Sequence, residues 1–553
     1  MGLWREVGSV RRRLIKKLKD LLIQSKKPKW DKDPPVPPEQ PPARGSDKVW
    51  EPAELAKIPV SPDLRVNRRL LVEIMGADAN FVLREFAVGP QKVPVVLAYV
   101  SALVERAQLN FHVLERLMLQ YPAGMPVSLE TIKQRVVTVA EIKGCDNFWQ
   151  VVDCILGGKA VLFLGGENQG LGLDVRGYEG RAISEAETEG VVRGPRDAFV
   201  EDIDRNVMLI RRRIKTPNLV VEKTSLGRLS RSVTVLMYVK GLAAPELVQE
   251  VRERLKRIDT DAVLGSNFID EMIVDNPYSP FPQVVATERP DRVAAALVEG
   301  KVVFLTDTEP FALIVPAALA TLLQSPEDYY HPFGISTAVR WLRYIAFFIS
   351  VMASPLYVAV TTFHQEMIPF RLLLSIAAAR EGVPLPAVME ALAMETVFEL
   401  LREAGIRLPR PVGQAVSIVG ALVIGEAAVT AGVVSPLMVI VVATAGIASF
   451  ATPSYELAIP MRLLRFPLMI LAGSLGLFGL TAGLLGMLIH LSGLRSFGVP
   501  YLSPLAPLKF SELKDVLVRV PLWMMRTRPD TSKRDWYRQA AGLKPGPPPE
   551  EHS

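Results

Sequence analysis

An α/β N-terminal region followed by an α-helical multi-pass membrane domain is the fold class this sequence predicts, on three observations. The chain has 553 residues, and a single hydrophobic core stops growing near about 250–300 residues, so at least two units are expected. Its composition is mixed: 49% hydrophobic residues and a mean hydropathy of +0.23 are high for a soluble protein, yet 22% charged residues are too many for a wholly intramembrane one. The mixture is segregated, because charges are spread through residues 1–340 and become sparse from Trp341 to Leu491.

The first segment, MGLWREVGSVRRRLIKKLKDLLIQ, places Leu3, Trp4, Val7, Leu14, Leu18 and Leu21 on one face of a helix and Arg5, Arg12, Arg13, Lys16 and Lys17 on the other. Such a helix suits an anionic membrane surface or a protein neighbour equally well. Its apolar residues are interrupted by basic ones, unlike the continuous apolar core of a secretory signal, so residues 1–340 are expected on the cytoplasmic side. Glu6 stands where the myristoylation pattern needs Ser or Thr. DPPVPPEQPPARG, residues 33–45, reads as a semi-rigid spacer, since proline donates no backbone hydrogen bond and favours an extended conformation.

Beyond the spacer the pattern is α/β and occurs twice. One copy runs PVVLAYVSALVERAQLNFHVLERL and then ILGGKAVLFLGGENQGLGLDV; the other runs VTVLMYVKGLAAPELVQEVRERLKRI and then LVEGKVVFLTDTEPFALIV. Tyr99 matches Tyr238 and Lys159 matches Lys301. Each copy predicts a strand, a helix, a connection and two strands joined by a turn, giving two related subdomains. The expected organisation is a basic helix and Pro-rich linker over 1–50, α/β subdomains over 51–190 and 191–338, a transmembrane domain over 339–494 and a basic cytoplasmic tail over 495–553.

Several function classes are excluded. The formal charge of +6 is not gathered into a basic patch interleaved with aromatics, so no nucleic acid is expected. Cys145 and Cys154 are too few for a structural zinc site and read as reduced thiols; no metal and no cofactor is expected. GGENQG, residues 165–170, lacks the Lys-Ser/Thr of a phosphate loop. Five histidines (His112, His331, His364, His490, His552) form no metal-binding pair, and no nucleophile elbow is present, so no enzyme is expected; His364 and Glu366 read as a solvated interfacial pair.

A bilayer core about 30 Å thick needs about 20 apolar residues in a helix. Trp341–Thr362 and Pro411–Val433 satisfy this, Pro436–Ala451 is shorter, and Phe466–Leu491 is long enough to tilt; its Gly473, Gly476, Gly479, Gly483 and Gly486 permit close helix contact. Arg340 and Arg343 hold the first span's start inside, and Arg495, Lys509, Lys514, Arg519, Arg526 and Arg528 hold the tail there. Both ends inside require an even number of crossings. Four spans meet that, but then place Arg402, Arg407, Arg410, Arg462 and Arg465 outside, against the trend. Residues 383–405 carry Glu390, Glu395, Glu399 and Glu403 and read as an amphipathic helix at the interface or in a water-filled vestibule, with a further span as the alternative and Glu390, Glu395 and Glu399 as vestibule candidates.

Within the second span, SIVGALVIGEAAVTAGVV carries one charge, Glu426. A carboxylate at the bilayer centre is disfavoured by at least about 2.5 kcal/mol, so it faces protein or water. Val419, Leu422, Val429 and Thr430 share its face. A carboxylate beside a hydrophobic constriction passes and gates cations. A protonated or hydrogen-bonded glutamate sealing a helix interface is the alternative.

NPYSPFPQ (276–283), TERPD (287–291), SPEDYY (325–330), LREAGIRLPRPVGQAVSIVGALVIGEAAV (401–429), SFGVPYLSPLAP (496–507) and VVRGPRDAFVEDI (191–203) resemble the A subunits of GerA-type spore germinant receptors, with the stage V sporulation protein AF as a related pattern. The resemblance spans about residues 64–529. It implies a multi-pass protein of the inner spore membrane, working with a transporter-like B subunit that senses the nutrient and a C-subunit lipoprotein. It further implies a homo-oligomeric ring whose centre conducts monovalent cations, with the pore-lining helix falling on Pro411–Val433. The basic first helix and Pro-rich spacer depart from that pattern. The function expected is therefore a nutrient-gated cation-channel subunit that triggers germination. An ion-coupled secondary transporter, prompted by Pro355 and Pro436 in apolar segments, and a non-conducting signalling scaffold are the alternatives.

Overall fold

The protein was analysed as a computed structural model, which describes residues 48–122, 124–177, 185–186, 188–408, 425–529 and 538. The basic first segment and the spacer lie outside the described residues, as does 409–424 of the proposed pore helix.

Two five-stranded antiparallel sheets form the N-terminal region. The first contains β1 (Phe81–Val88), β2 (Val93–Val100), β3 (Ile142–Cys145), β4 (Lys159–Leu164) and β5 (Gly170–Asp174) in the order β1-β2-β4-β5-β3. The second contains β6 (Leu219–Leu226), β7 (Ser232–Val239), β8 (Val285–Thr287), β9 (Val302–Thr306) and β10 (Ala312–Val315) in the order β6-β7-β9-β10-β8. The order is the same, and the register carries it to single residues. Leu162 opposes Leu97 and Phe304 opposes Leu236, so Lys159 and Lys301 each stand three residues before the equivalent pair. Tyr99 and Tyr238 are likewise matched, opposing Val82 and Val220.

Side-chain alternation explains how the sheets are layered. In β4, Val161 and Phe163 enter one core while Ala160, Leu162 and Leu164 enter another. In β9, Val303 and Leu305 join that first core, and Val302 and Phe304 turn to a third. Both sheets thus share one apolar layer, lined by α1 (Leu64–Met75), α2 (Phe148–Leu156), α3 (Ile203–Arg213) and, on the second sheet, a helix that begins at Pro290. Helix α2 starts where it does because the Asn147 side chain accepts a hydrogen bond from the Gln150 amide (3.0 Å), and α3 because Asp202 accepts from Asp204 (2.9 Å). Cys145 and Cys154 are buried as free thiols, their sulfurs 3.5 Å apart. α4 (Ser266–Ile273) covers the second sheet's outer face, and α5 (Pro290–Val298) is the helix on its inner face.

A helical layer follows: α6 (Phe333–Phe363), α7 (Phe370–Arg380), α8 (Ala387–Arg407), α9 (Pro436–Phe450) and α10 (Tyr455–Gly493). Two of these, α6 and α10, are long and apolar enough to cross a membrane. Pro355 sits inside an unbroken α6, and Pro436 occupies the first turn of α9, where its missing N–H is harmless, so neither proline breaks a helix.

The stretch expected as one tilted span over Phe466–Leu491 is instead folded back on itself. Gly476 adopts φ 63°, ψ −142°, a conformation that only glycine enters readily. Beyond it the chain packs on its own preceding arm: a methyl group on Gly479 would lie against the Leu471 carbonyl oxygen, and one on Gly483 would come within 2.6 Å of Leu468. Residues eight and fifteen apart do not touch in a straight helix, which rises 1.5 Å per residue. Helix α10 is a hairpin.

Helix α8 runs alongside the first arm of that hairpin, antiparallel to it, rather than across the layer. Val388 packs on Gly473, Glu395 meets Arg465 and Glu399 meets Arg462. Helix α9 runs parallel to α8, through Glu390–Ser435, Phe398–Gly446 and Arg402–Ser449 contacts. Glu395 meets both Ser354 of α6 and Arg465, and Arg462 and Arg402 lie from there toward the start of α6. Arg410 lies outside the described residues.

Candidate functional site

Five of the six quoted motifs contribute where the second sheet meets the helices; the sixth, 401–429, lies mostly outside the described residues. Ser325 caps a short 3-10 turn, Pro326–Tyr329, and the following Tyr330 packs against the main chain of Gly194 so closely that a methyl there would come within 2.7 Å of the ring. From this turn, Asp328 accepts from Arg340 Nε (3.2 Å) and from Arg343 Nη1 (3.0 Å) and Nη2 (3.1 Å), both arginines belonging to α6. Asp515 of the tail closes the other side. It accepts from the Tyr329 hydroxyl (2.8 Å) and from Arg340 Nη1 through its side chain (3.3 Å) and carbonyl (2.5 Å). Burial, then the Asp515 and Glu299 carboxylates, push the Tyr329 hydroxyl well above its ordinary value, so it stays a donor.

The network extends into the α/β region. Tyr330 donates to Asp291 (2.7 Å), which also accepts from Arg289 (2.7 Å), and Arg289 donates to the Pro195 carbonyl (2.9 Å). Burial and the Asp291 hydrogen bond push the Tyr330 hydroxyl up to about 12. A second tie joins Ser279 to His490 near the end of α10 (2.8 Å) and, through Ser496, the Gln283 carbonyl (2.6 Å) to the Ala317 amide (2.9 Å). The Asp328, Ser279 and Ser496 contacts link segments next to the second sheet to the start of α6, the end of α10 and the residues just after it.

Helix α8 supplies a second constellation. Glu395 is buried and accepts from Ser354 Oγ and from Arg465 Nη1, both at 2.6 Å. Glu390, fully buried, accepts from the Ser435 amide and hydroxyl at 2.5 Å and faces Arg380 at 3.9 Å. Glu399 is partly exposed and meets Arg462 at 3.3 Å. The recurrence of acids on α8 is thus answered by Arg462 and Arg465, whose three-residue spacing fits the 395–399 interval on an antiparallel neighbour.

The residues expected to line a pore are separated by what is described. Glu426 is exposed in a short helical segment, 425–430, and has no hydrogen-bond or ionic partner among the described residues. Thr430 is exposed beside it and Val429 is half-buried. Val419 and Leu422 lie outside the described residues. The sequence reading missed Asp328, Asp515 and Arg465. Arg340 and Arg343 read as free juxtamembrane cations, whereas both are buried against carboxylates; the signal available was the SPEDYY motif 10 residues before Arg340. Among the described residues no three His, Cys, Asp or Glu side chains converge as a metal site.

Paired α/β sheets joined through buried ion pairs to apolar helices, two of them long enough to cross a membrane, define the class of this protein. The chain belongs to the Bacillus/Clostridium GerA spore germination protein family, which it matches over residues 69–531. It is 44% identical over 490 residues to spore germination protein KA of Bacillus subtilis (strain 168), covering 88% of this chain and 90% of that protein. It is 42% identical over 476 residues to the uncharacterized membrane protein YfkQ of the same strain, covering 86% and 92%. Among solved structures it matches the N-terminal domain of the A subunit of the Bacillus megaterium spore germinant receptor GerK3, at 29% identity and a TM-score of 0.38, over 47% of this chain and 97% of that one.

Proposed function

We propose that this chain is the A subunit of a nutrient-responsive spore germinant receptor, and that copies of it assemble into a ring forming a gated monovalent-cation channel. Its α/β sheets stand on the cytoplasmic side of the inner spore membrane, and its partners are a transporter-like B subunit and a C-subunit lipoprotein. Family membership supports the role in germination. The arginines gathered toward the base of α6 support the orientation, since cationic residues concentrate on the cytoplasmic side. The observation that carries the conducting role is Glu426. Glu390, Glu395 and Glu399 each face an arginine, whereas Glu426 is exposed within an apolar segment. An intramembrane carboxylate in that state requires water or a neighbouring subunit.

In this reading Leu422 dewets the closed pathway, Glu426 selects cations once it is wet, and Val419, Val429 and Thr430 complete the lining. Nutrient binding at the B subunit shifts the closed-to-open equilibrium by no more than its differential affinity for the two states. The Asp328–Arg340–Asp515 cluster carries that shift between α/β region and helices. Glu426→Gln in the whole receptor tests the assignment by single-channel recording: cation over anion selectivity should fall while nutrient dependence persists. Unchanged selectivity would remove Glu426 from the pathway, and no current from the unaltered receptor would remove the conducting role and leave germination signalling.

A further inference from the structure

Helix α6 has 31 residues, about 11 more than the 20 or so that a 30 Å hydrocarbon core requires. The tail wraps that surplus at its base. Trp341 Nε1 donates to the Leu517 carbonyl (2.7 Å), the Tyr344 hydroxyl to the Val516 carbonyl (2.6 Å), and the Phe333 and Trp523 rings meet edge to face at 6.3 Å. Held this way, the tail turns large apolar side chains outward: Phe510 is 79% exposed, Met524 56%, Leu508 55% and Leu522 48%. Side chains of this kind left in water over a contiguous band mark an interaction surface.

We propose that residues 505–528 form an interfacial collar that docks on the anionic leaflet of the membrane entered by α6, with Phe510 and Leu508 at the acyl boundary. The proposal rests on the membrane placement given above. Three features favour lipid as the occupant. The segment meets α6 at the exposed Trp341, through the Leu517 carbonyl, and Leu342, Ile345 and Phe348 of α6 are exposed as well. Trp341 and Tyr344 are both hydrogen-bonded to adjacent carbonyls of this segment, Leu517 and Val516, and amphipathic rings collect at headgroup depth. The segment carries five basic residues against two acidic ones; Arg519 is buried and Asp515 is committed to Arg340 and Tyr329, and the cations that remain favour an anionic surface.

The test uses the full chain with both native cysteines replaced by alanine, in nanodiscs, carrying a nitroxide on Phe510→Cys or on Phe348→Cys. Oxygen, which concentrates in hydrocarbon, and a water-soluble nickel chelate report depth. The Phe348→Cys label should be oxygen-rich and shielded from nickel. The Phe510→Cys label should sit at headgroup depth and move deeper as phosphatidylglycerol replaces phosphatidylcholine, and Lys509→Glu with Arg526→Glu should abolish that movement. A Phe510→Cys label open to nickel while Phe348→Cys stays shielded overturns the collar and keeps the membrane placement. An aqueous Phe348→Cys label overturns both. Spin–spin broadening at Phe510→Cys regardless of lipid charge assigns the surface to a second copy and overturns the lipid assignment.

Discussion

Arg340 and Asp328 meet at 3.2 Å with both side chains almost wholly buried, and Arg343 shares the same carboxylate. One acid from the α/β region therefore neutralises two cations of the first apolar helix, and Asp515 supplies the remaining charge from the tail. The arrangement makes the base of α6 a fixed joint between regions far apart in sequence.

Asp328→Asn should separate that joint. Removing one partner of a buried ion pair leaves an uncompensated charge and is destabilising by about 3–5 kcal/mol. The expected outcome is a lower thermal midpoint of the purified chain and slower nutrient-triggered germination. Normal values of both would show that the arginines are satisfied by backbone carbonyls and Asp515 alone.

The Glu395–Arg465 pair allows a sharper measurement, because it can be dissected by a double-mutant cycle. Glu395→Gln and Arg465→Met should each destabilise the helical layer, and the double variant should recover part of the loss, with a coupling of about 0.5–3 kcal/mol. Unfolding in mixed micelles gives the four free energies. Strict additivity would mean that the 2.6 Å contact contributes nothing beyond its separate hydrogen bonds.

Much of this was legible from sequence, and the misses have physical causes. The change in charge density near Trp341 marks where the long apolar helix lies, and the matched Tyr99/Tyr238 and Lys159/Lys301 positions anticipate two sheets of one strand order. The short edge strands β3 and β8 were invisible, since three or four residues show no reliable alternation. Gly476 looked like Gly473, Gly479 and Gly483, all read as small residues for close packing; its neighbours do pack closely, but only a positive φ distinguishes the one that turns the chain. Asp515, the second acid on Arg340, and Glu395, the partner of Arg465, lie 175 and 70 residues away, beyond the reach of any local pattern. For the pore-lining candidates, periodicity groups Glu426 with Val419, Leu422, Val429 and Thr430 on one face but does not say what that face meets.

Asp270 on α4 gives a pH prediction outside the helical layer. Burial, then the neighbouring Glu271 carboxylate, push its carboxyl up to about 6 from 3.8, and Oδ1 has no hydrogen-bond partner among the described residues. A raised acid binds its proton more tightly folded than unfolded, so its contribution to stability is fully present below about pH 3.8 and is lost as pH rises through about 6. Asp270→Asn removes that loss. At about 1.4 kcal/mol per unit, the variant should gain up to roughly 3 kcal/mol at pH 7.5 and less at pH 5. Thermal unfolding of the full chain in detergent at both values checks it, and an equal gain at the two pH values would assign the effect to packing.

Gly476→Ala tests the hairpin. The φ of 63° and ψ of −142° are strained for any residue with a Cβ, and the added methyl would come within 2.7 Å of His364 Cε1 and 2.9 Å of Phe363 Cβ. Backbone strain of this kind amounts to about 1–3 kcal/mol, with the clash in addition because both neighbours end the long helix α6. Gly486→Ala, at a site with open space around it, is the control and should gain slightly from helix propensity. The pair is read by thermal midpoint and by crosslinking of cysteines placed at 468 and 483. Loss of the crosslink in Gly476→Ala with retention in Gly486→Ala locates the reversal at that glycine. If Gly476→Ala is as stable as Gly486→Ala and no 468–483 crosslink forms in the unsubstituted background, the two arms are one straight helix, and residues 466–491 cross the membrane once.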